Sequence, residues 1–467
     1  MKSVALHNLG CKVNEYEIEI MQQNVQKAGW QIVKFSQKAD IYVINTCSVT
    51  NIADRKSRQM LHKARKMNPD AIVVAVGCYA QTDTSGALGD SAVDIVIGNN
   101  NKTKLVPIIE EYLANRDRIE GTYRCIVDDL SRERQYEDML LEDYAGRVRV
   151  DIKIQDGCDQ FCSFCIIPHA RGRIRSREMD SILKEITALA DKGVKEVVIT
   201  GIHLSSYGLD LHKDDEGRIT SYNNANNKAG DEYTNEDLLE VIKNVSAIQG
   251  IERIRLGSLE PRVITRPFLE RLKADKKVCP HFHLSLQSGC DETLVRMNRR
   301  YTSEEFLERV SLIREYYEHP AITTDIIVGF PGETEEEFEK TCGFVDKVRF
   351  YETHIFKYSK RRNTVAATLP GQLTEAVKAA RSDILSEKNA VNSKNFRAFL
   401  LGRDVEILTE EHIEVDGKTY TVGHTVDYVM AAFEGELEIN TLIVGNVYDF
   451  LKDDILMLKN KSKKCYD

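Results

Sequence analysis

A chain of 467 residues, 42% hydrophobic and 29% charged, is too long for one ordinary core and too apolar for a disordered protein, so two or three packed domains are expected. The first residues, MKSVALHNLGCKVNEYE, carry no export-signal core, and no run reaches the roughly 18 apolar residues of a membrane span, so a cytoplasmic protein without membrane contact is expected. The net charge of −9 argues only weakly against a nucleic-acid partner, because a phosphate footprint is a local patch, and eleven cysteines in a reducing compartment are free to bind metal.

The first domain is expected over 1–125. Apolar runs at 3–7, 40–45, 71–76 and 94–97 alternate with helix-like stretches at 14–28, 52–67 and 102–112, the pattern of a parallel sheet with helices on its faces. Cys11 follows the first run in NLGC, Cys47 the second in INTC, and Cys78 the third in AVGC. Carboxyl ends of parallel strands share one edge, so these three thiols would converge there. The plainer alternative is that small apolar cysteines simply fill strand ends. The acidic, polar stretch 126–146 reads as a linker.

Over 147–372, strand-like runs at 148–154, 196–200, 253–256, 281–286, 324–328 and 353–356 alternate with helix-like stretches at 181–192, 235–245, 267–273, 303–316 and 334–348. Six such units predict an open, partial (β/α)6 barrel, with a complete eight-unit barrel as the alternative. After the first strand come Cys158, Cys162 and Cys165 at C-x3-C-x2-C spacing. Three soft ligands at this spacing can hold three irons of a cuboidal cluster and leave the fourth open to a non-protein ligand. A zinc site would need a fourth protein ligand, His169 or Cys290.

The remaining strands end in TGIHLSSYG, GSLEP, QSG and GFPGE, polar and glycine-containing turns where a barrel places its chemistry. His203 within the first of these is a candidate donor beside a ligand or an ordinary structural histidine. Three basic groups follow strand ends: Arg171, Arg173, Arg175 and Arg177; Arg296, Arg299 and Arg300; and Lys357, Lys360, Arg361 and Arg362. They suit RNA phosphate binding, with a solvated surface, or bracing of the cysteine loop, as the alternatives. The polar stretch 209–234 reads as an exposed insertion. A connecting helix is expected over 373–401, a small antiparallel β-barrel over 402–455 and a disordered lysine-rich tail over 456–467.

The string QDGCDQFCSFCIIPHARGRIRSR resembles the cluster loop of radical S-adenosylmethionine (SAM) enzymes and, more narrowly, that of the methylthiotransferases. NLGCKVNEYE, INTCSVTNIADRKSRQ and VGCYAQ resemble the amino-terminal segments of the same family, and LIVGNVYDF resembles its RNA-binding TRAM module. TGIHLSSYG resembles the branch that modifies threonylcarbamoyladenosine rather than isopentenyladenosine.

The resemblance implies two [4Fe-4S] clusters, one on Cys158, Cys162 and Cys165 that cleaves SAM, the other on Cys11, Cys47 and Cys78 that supplies sulfur. It further implies that Phe164, Gly201, Ser258, Glu260 and Gln287 line the cofactor and substrate cavity. The implied substrate is a tRNA anticodon stem-loop with a modified adenosine at position 37, with a flavodoxin-like or other reductant and a sulfur donor as partners. The competing readings are an isopentenyladenosine or ribosomal-aspartate substrate, and an iron-sulfur protein of binding or electron transfer without radical chemistry.

Overall fold

A computed structural model describes residues 2–115, 124–142, 148–212, 234–452 and 454–460. The amino-terminal part is a parallel α/β domain of six strands: β1 (Ser3–Asn8), β2 (Gln31–Val33), β3 (Ile41–Thr46), β4 (Ile72–Gly77), β5 (Ile95–Ile97) and β6 (Cys125–Ile126), in the order 2-1-3-4-5-6. Every residue of β3 and β4 is buried, which is why IYVINT and IVVAVG read as near-continuous apolar runs. The edge strands β2 and β6 escape the sequence reading because they are three and two residues long, too short to set up a periodicity.

The chain leaves this domain through 127–142, which carries no helix or strand but is held closely. Tyr16 donates to Met139 O (2.7 Å), and Met139 and Leu141 are buried in the same core as the central strands. This stretch is therefore packed against both neighbours.

The central α/β region contains β7 (Arg149–Asp156), β8 (Arg175–Ser176), β9 (Glu196–Gly201), β10 (Arg253–Leu256), β11 (His281–Gln287), β12 (Ala321–Val328) and β13 (Glu352–Lys357). Two sheets, 10-9-7-8 and 11-12-13, are joined by Leu259 N–H to His283 O (2.8 Å) and Ser285 N–H to Leu259 O (3.1 Å). The six long strands thus form one parallel array in the order 7-9-10-11-12-13, with β8 added antiparallel to β7. Capping boxes, Thr302 with Glu305 and Thr334 with Glu337, set the starts of the helices Ser303–Tyr316 and Glu335–Val348.

The long helix Glu375–Ala398 leads to β14 (Asp404–Val415), β15 (Lys418–Thr425), β16 (Met430–Glu434), β17 (Leu442–Lys452) and β18 (Ile455–Asn460). Pairing runs 14-15-16-18-17 and returns to β14, with β16 and β18 parallel, so this sheet is mixed rather than purely antiparallel. β18 lies in what reads as the start of a basic tail. ILML supplies the last apolar face of the module, with Leu456 and Leu458 in its core. Residues 461–467 of that tail, and 213–233 of the polar insertion, lie outside the described residues. Among the described residues, no helix is long and apolar enough to cross a membrane.

Candidate functional site

Cys11 is the N-cap of the helix Lys12–Lys27, Cys47 follows β3, and Cys78 opens the helix Cys78–Thr82 after β4. They meet at the carboxyl edge of the sheet. A Cβ built on Gly10 would lie 3.2 Å from Cys47 Sγ, so the two loops touch where glycine stands. Burial pushes the Cys47 thiol up to about 12, with Cys78 and Cys11 adding to the shift. Burial also raises Cys11, and the Arg171 guanidinium draws it back. Asn99 donates to Cys78 Sγ (3.5 Å).

The second triad sits in the loop after β7. Gly157 (φ +69°) is the residue that permits the loop, because a Cβ there would meet Arg173 O at 1.8 Å. Cys158 N–H donates to Gly172 O (3.1 Å) and Cys165 N–H to Cys162 O (2.9 Å), which folds the three thiols together. Burial raises Cys158, then the neighbouring Cys162 and Cys165; burial and Cys162 push Cys165 up to about 12. Cys11, Cys47, Cys158 and Cys165 therefore resist ionisation on their own, and multivalent cations are the natural counter-charge for such sets of sulfurs. N–H groups aimed at sulfur, from Asn99 and from Arg299 Nη1 to Cys162 (3.1 Å), fit cluster-bound thiolates in both places.

One buried ionic core ties the triads to each other. Glu17 accepts from Arg171 (2.8 and 3.0 Å), Lys153 (2.8 Å) and Lys102, while Asp156 accepts from Lys153 (2.6 Å) and Arg171 (3.1 Å). Arg171 Nη2 also donates to Asn14 Oδ1 (2.7 Å), and Asn14 in turn donates to Leu9 O (2.8 Å) and Thr46 O (3.1 Å) behind Cys11 and Cys47. Asn99 donates to Ala170 O (2.7 Å) as well as to Cys78. Although burial raises the Glu17 carboxyl, Arg171, Lys102 and Lys153 hold it well below the usual carboxylate range.

This corrects the expectation of a phosphate-binding arginine run. Arg171, Arg175 and Arg177 are at most 1% exposed, Arg175 facing Asp156 (3.6 Å) and Arg177 pairing with Asp138 (2.9 Å) and Glu185. Burial in ion pairs leaves them no access to RNA. Arg173 is 40% exposed and lies over the Phe161 ring (4.6 Å).

Arg296 pairs with Glu337 (2.5 Å), and Arg299 is spent on Cys162 and Ser285 O. Arg300 is half-buried, with a partner of its own. Arg361 is buried against Ser48, Asn51 and Asp54. Lys360 and Arg362 are exposed and line, with the exposed Arg58, a groove of about 340 Å³ beside the amino-terminal domain.

Of the residues expected near the cofactor, Gly201 and Ser258 line a cavity of about 800 Å³ that Cys11 also borders. Phe164 and Gln287 line an adjoining cavity of about 180 Å³ with Cys165. Val49, Ile167 and Asp325 are common to both spaces. Glu260 is buried and takes up Arg262 (2.6 Å). His203 Nδ1 meets Ser206 Oγ (2.6 Å), and burial, countered by Glu260, lowers the ring to about 4, so it is neutral.

The sequence reading missed the far wall of the larger cavity: Lys12, His281, His283, Asp325, His354 and Arg397, together with His424 and Tyr428 from the carboxy-terminal module. Tyr428, at φ +64°, stacks between His281 (5.1 Å) and His424 (4.6 Å). Arg253 and Arg255 of β10 hold its turn by bonds to His424 O, Thr425 O and Val426 O (2.9, 3.0 and 2.8 Å). A partial signal was present in HFH, where His281 and His283 flank Phe282; TTD and ETH are polar at all three places and show no alternation.

Residues 152–345 match the model of the Radical SAM superfamily, and 3–98 that of Uncharacterized protein family UPF0004. The chain is 39% identical to a threonylcarbamoyladenosine tRNA methylthiotransferase MtaB of Bacillus subtilis, over 93% of this chain and 91% of that one. It is 38% identical to the Aquifex aeolicus protein of that name, over 89% and 97%. A tRNA-2-methylthio-N(6)-dimethylallyladenosine synthase of Moorella thermoacetica is 34% identical over 95% of both chains. Among solved structures, the radical SAM methyltransferase TsrM of Kitasatospora setae shares the fold, with a TM-score of 0.54, 17% identity, and coverage of 76% and 75%.

Proposed function

The chain belongs to the MtaB-type tRNA methylthiotransferases of the radical SAM superfamily, and from that premise we propose that it converts N6-threonylcarbamoyladenosine at position 37 of tRNA to its 2-methylthio derivative. The observation that carries the reading is the pair of cysteine triads opening on adjoining spaces: Cys11 borders the larger and Cys165 the smaller. Cys158, Cys162 and Cys165 would hold the cluster that binds SAM; Cys11, Cys47 and Cys78 would hold a second. When bound, these groups supply a 5'-deoxyadenosyl radical to take the C2 hydrogen of the base, and the sulfur that replaces it.

The protein's own contribution is registration. Arg171 and Asn14 tie the loop of one triad to the loops of the other, so carbon activation and sulfur delivery keep one geometry. Arg299 and Asn99 donate to sulfur, and hydrogen bonds of that kind favour the more reduced, more anionic state of a cluster. Neutral His203 carries a buried Nε2 without a partner near Glu260, a donor or acceptor for a cofactor group. Gly201 and Ser258 bring backbone and a hydroxyl to the cavity for the methionine part of SAM.

In this reading, 147–372 is a partial (β/α)6 barrel, 402–460 is a TRAM-like RNA-binding module, and RNA phosphates meet Arg173, Lys360 and Arg362. A target in the anticodon loop is already unpaired, which lowers the cost of presenting the base. A flavodoxin-like reductant and a sulfur donor complete the reaction. Nucleoside mass spectrometry of tRNA from cells with and without the gene tests the assignment: 2-methylthio-N6-threonylcarbamoyladenosine should vanish on deletion and return with the wild-type gene. Unchanged levels refute it.

A further inference from the structure

The face that β11, β12 and β13 turn to the cavity presents His281 and His283, Thr323 and Asp325, and Glu352 and His354. Parallel strands buried on both faces are ordinarily rich in Val, Ile and Leu, and the opposite face here is mostly apolar, with Phe282, Leu284, Ile322 and Ile326 in the core beside the buried Thr324 and Thr353. Six polar groups in a row on the inner face are not explained by packing.

His283, Asp325 and His354 occupy neighbouring strands, and their ligand atoms lie within 4.8 Å of one another. His283 is held at both ring nitrogens, Nδ1 by Thr323 Oγ1 (2.9 Å) and Nε2 by Asp325 Oδ2 (3.3 Å). His354 is exposed and carries no such clamp among the described residues. Asp325 also borders the small cavity of Cys165 and Gln287, so this group stands between the second triad and the far wall. Positions 325 and 354 lie three residues from the ends of their strands, roughly 10 Å inward at about 3.3 Å per residue, within reach of a substituent projecting from a base seated at the strand ends.

We propose that His283, Asp325 and His354 form the subsite for a polar, carboxylate-bearing substituent on N6 of the target adenosine. The inference rests on the function proposed above and supplies its specificity. A threonylcarbamoyl group offers ureido N–H and hydroxyl donors together with a carboxylate. Asp325 accepts from the donors, and His354 donates to the carboxylate. Lys12 and Arg397 on the same wall add positive charge. Arg397 is 7% exposed and donates to Ser393 Oγ (2.7 Å), and none of the ion pairs among the described residues gives it a carboxylate. His281, 8% exposed, has a buried Nδ1 without a partner. A dimethylallyl group in the same place would cover a carboxylate and two imidazoles with hydrocarbon and satisfy none of them.

The test uses full-length, cluster-loaded enzyme and three anticodon stem-loop RNAs carrying threonylcarbamoyladenosine, dimethylallyladenosine or adenosine at position 37. Methylthio product and 5'-deoxyadenosine are both followed. Wild type should prefer the threonylcarbamoyl RNA. His354→Ala should lower kcat/KM for that RNA by roughly 10- to 100-fold, the worth of one hydrogen bond to a charged group, and leave the other two RNAs and RNA-free deoxyadenosine formation unchanged. Asp325→Asn should likewise lower kcat/KM for the threonylcarbamoyl RNA more than for the other two, and His354→Gln should keep part of the rate that His354→Ala loses.

Wild-type preference for dimethylallyl RNA overturns the proposed function and the subsite together. Wild-type preference for threonylcarbamoyl RNA, with both variants keeping it undiminished or losing all three RNAs equally, overturns the subsite alone. One equivalent of metal beyond the cluster iron, lost in His354→Ala, also overturns it, because the three side chains would then hold a cation.

Discussion

Replacing Glu17 by Gln tests whether the ionic core, rather than surface complementarity, registers the two triads. Glu17 is fully buried between Lys102, Lys153 and Arg171, and with Asp156 it makes two carboxylates facing four cations, Arg175 being the fourth. The amide keeps the shape, removes one of those two charges and turns an NH2 toward a cation. Leaving a buried ion uncompensated costs about 3–5 kcal/mol. For a domain of this size that corresponds to a fall in Tm on the order of 10 °C.

Adding Lys102→Met removes one of the stranded cations, so the double variant should recover part of the loss, a coupling that a thermal-denaturation double-mutant cycle measures directly. Loosened registration should also lower methylthio product per 5'-deoxyadenosine formed. A single variant melting within about 1 °C of wild type, or a double variant no better than the single, would refute the reasoning.

Alanine at Cys158, Cys162 or Cys165 should abolish deoxyadenosine formation, whereas alanine at Cys11, Cys47 or Cys78 should spare part of it and stop sulfur insertion; methylthio product from the latter set refutes the division of labour. Gly157→Ala should fail to retain the iron held by Cys158, Cys162 and Cys165, because its methyl would stand 1.8 Å from Arg173 O, and wild-type iron content would contradict the loop geometry. Burial, opposed by Arg255 and Arg253, pushes Asp427 up to about 7, so the folded state holds its proton more tightly than the unfolded chain. The contribution of Asp427 to stability should therefore be fully present below the ordinary aspartate value and be lost as pH rises from about 4 to about 7, by on the order of 2 kcal/mol after solvent screening, and Asp427→Asn should remove that component of the pH dependence. An identical pH dependence in the variant argues against it.

The order of domains, the position of each cysteine at a strand end and the spacing of the second triad were all readable from the chain, because each depends on residues within about ten places of one another. Apolar runs announce buried strands, and a glycine or cysteine after them announces the edge where strands stop. The fate of charge was not readable in this way. Arg171 and Glu17 are separated by 154 residues in sequence, and nothing local says that the arginine run turns inward to meet them rather than outward to RNA. Likewise β6 exists only because β5 offers it an edge, and β18 because β16 and β17 leave a place to fill.

The alternation in HFH marks one strand with a polar face, whereas TTD and ETH are polar at every place and do not say which face turns inward. Only the parallel register, which sets Asp325 beside His354 and Thr323 beside His283, makes that face one wall of a cavity. Sequence determined which chemistry the chain carries, since ligands and turns are local. Tertiary structure decided which charges are spent on holding the two triads together and which remain to meet a substrate, since a charge's partner, and therefore its cost, is set by whatever distant segment packs against it.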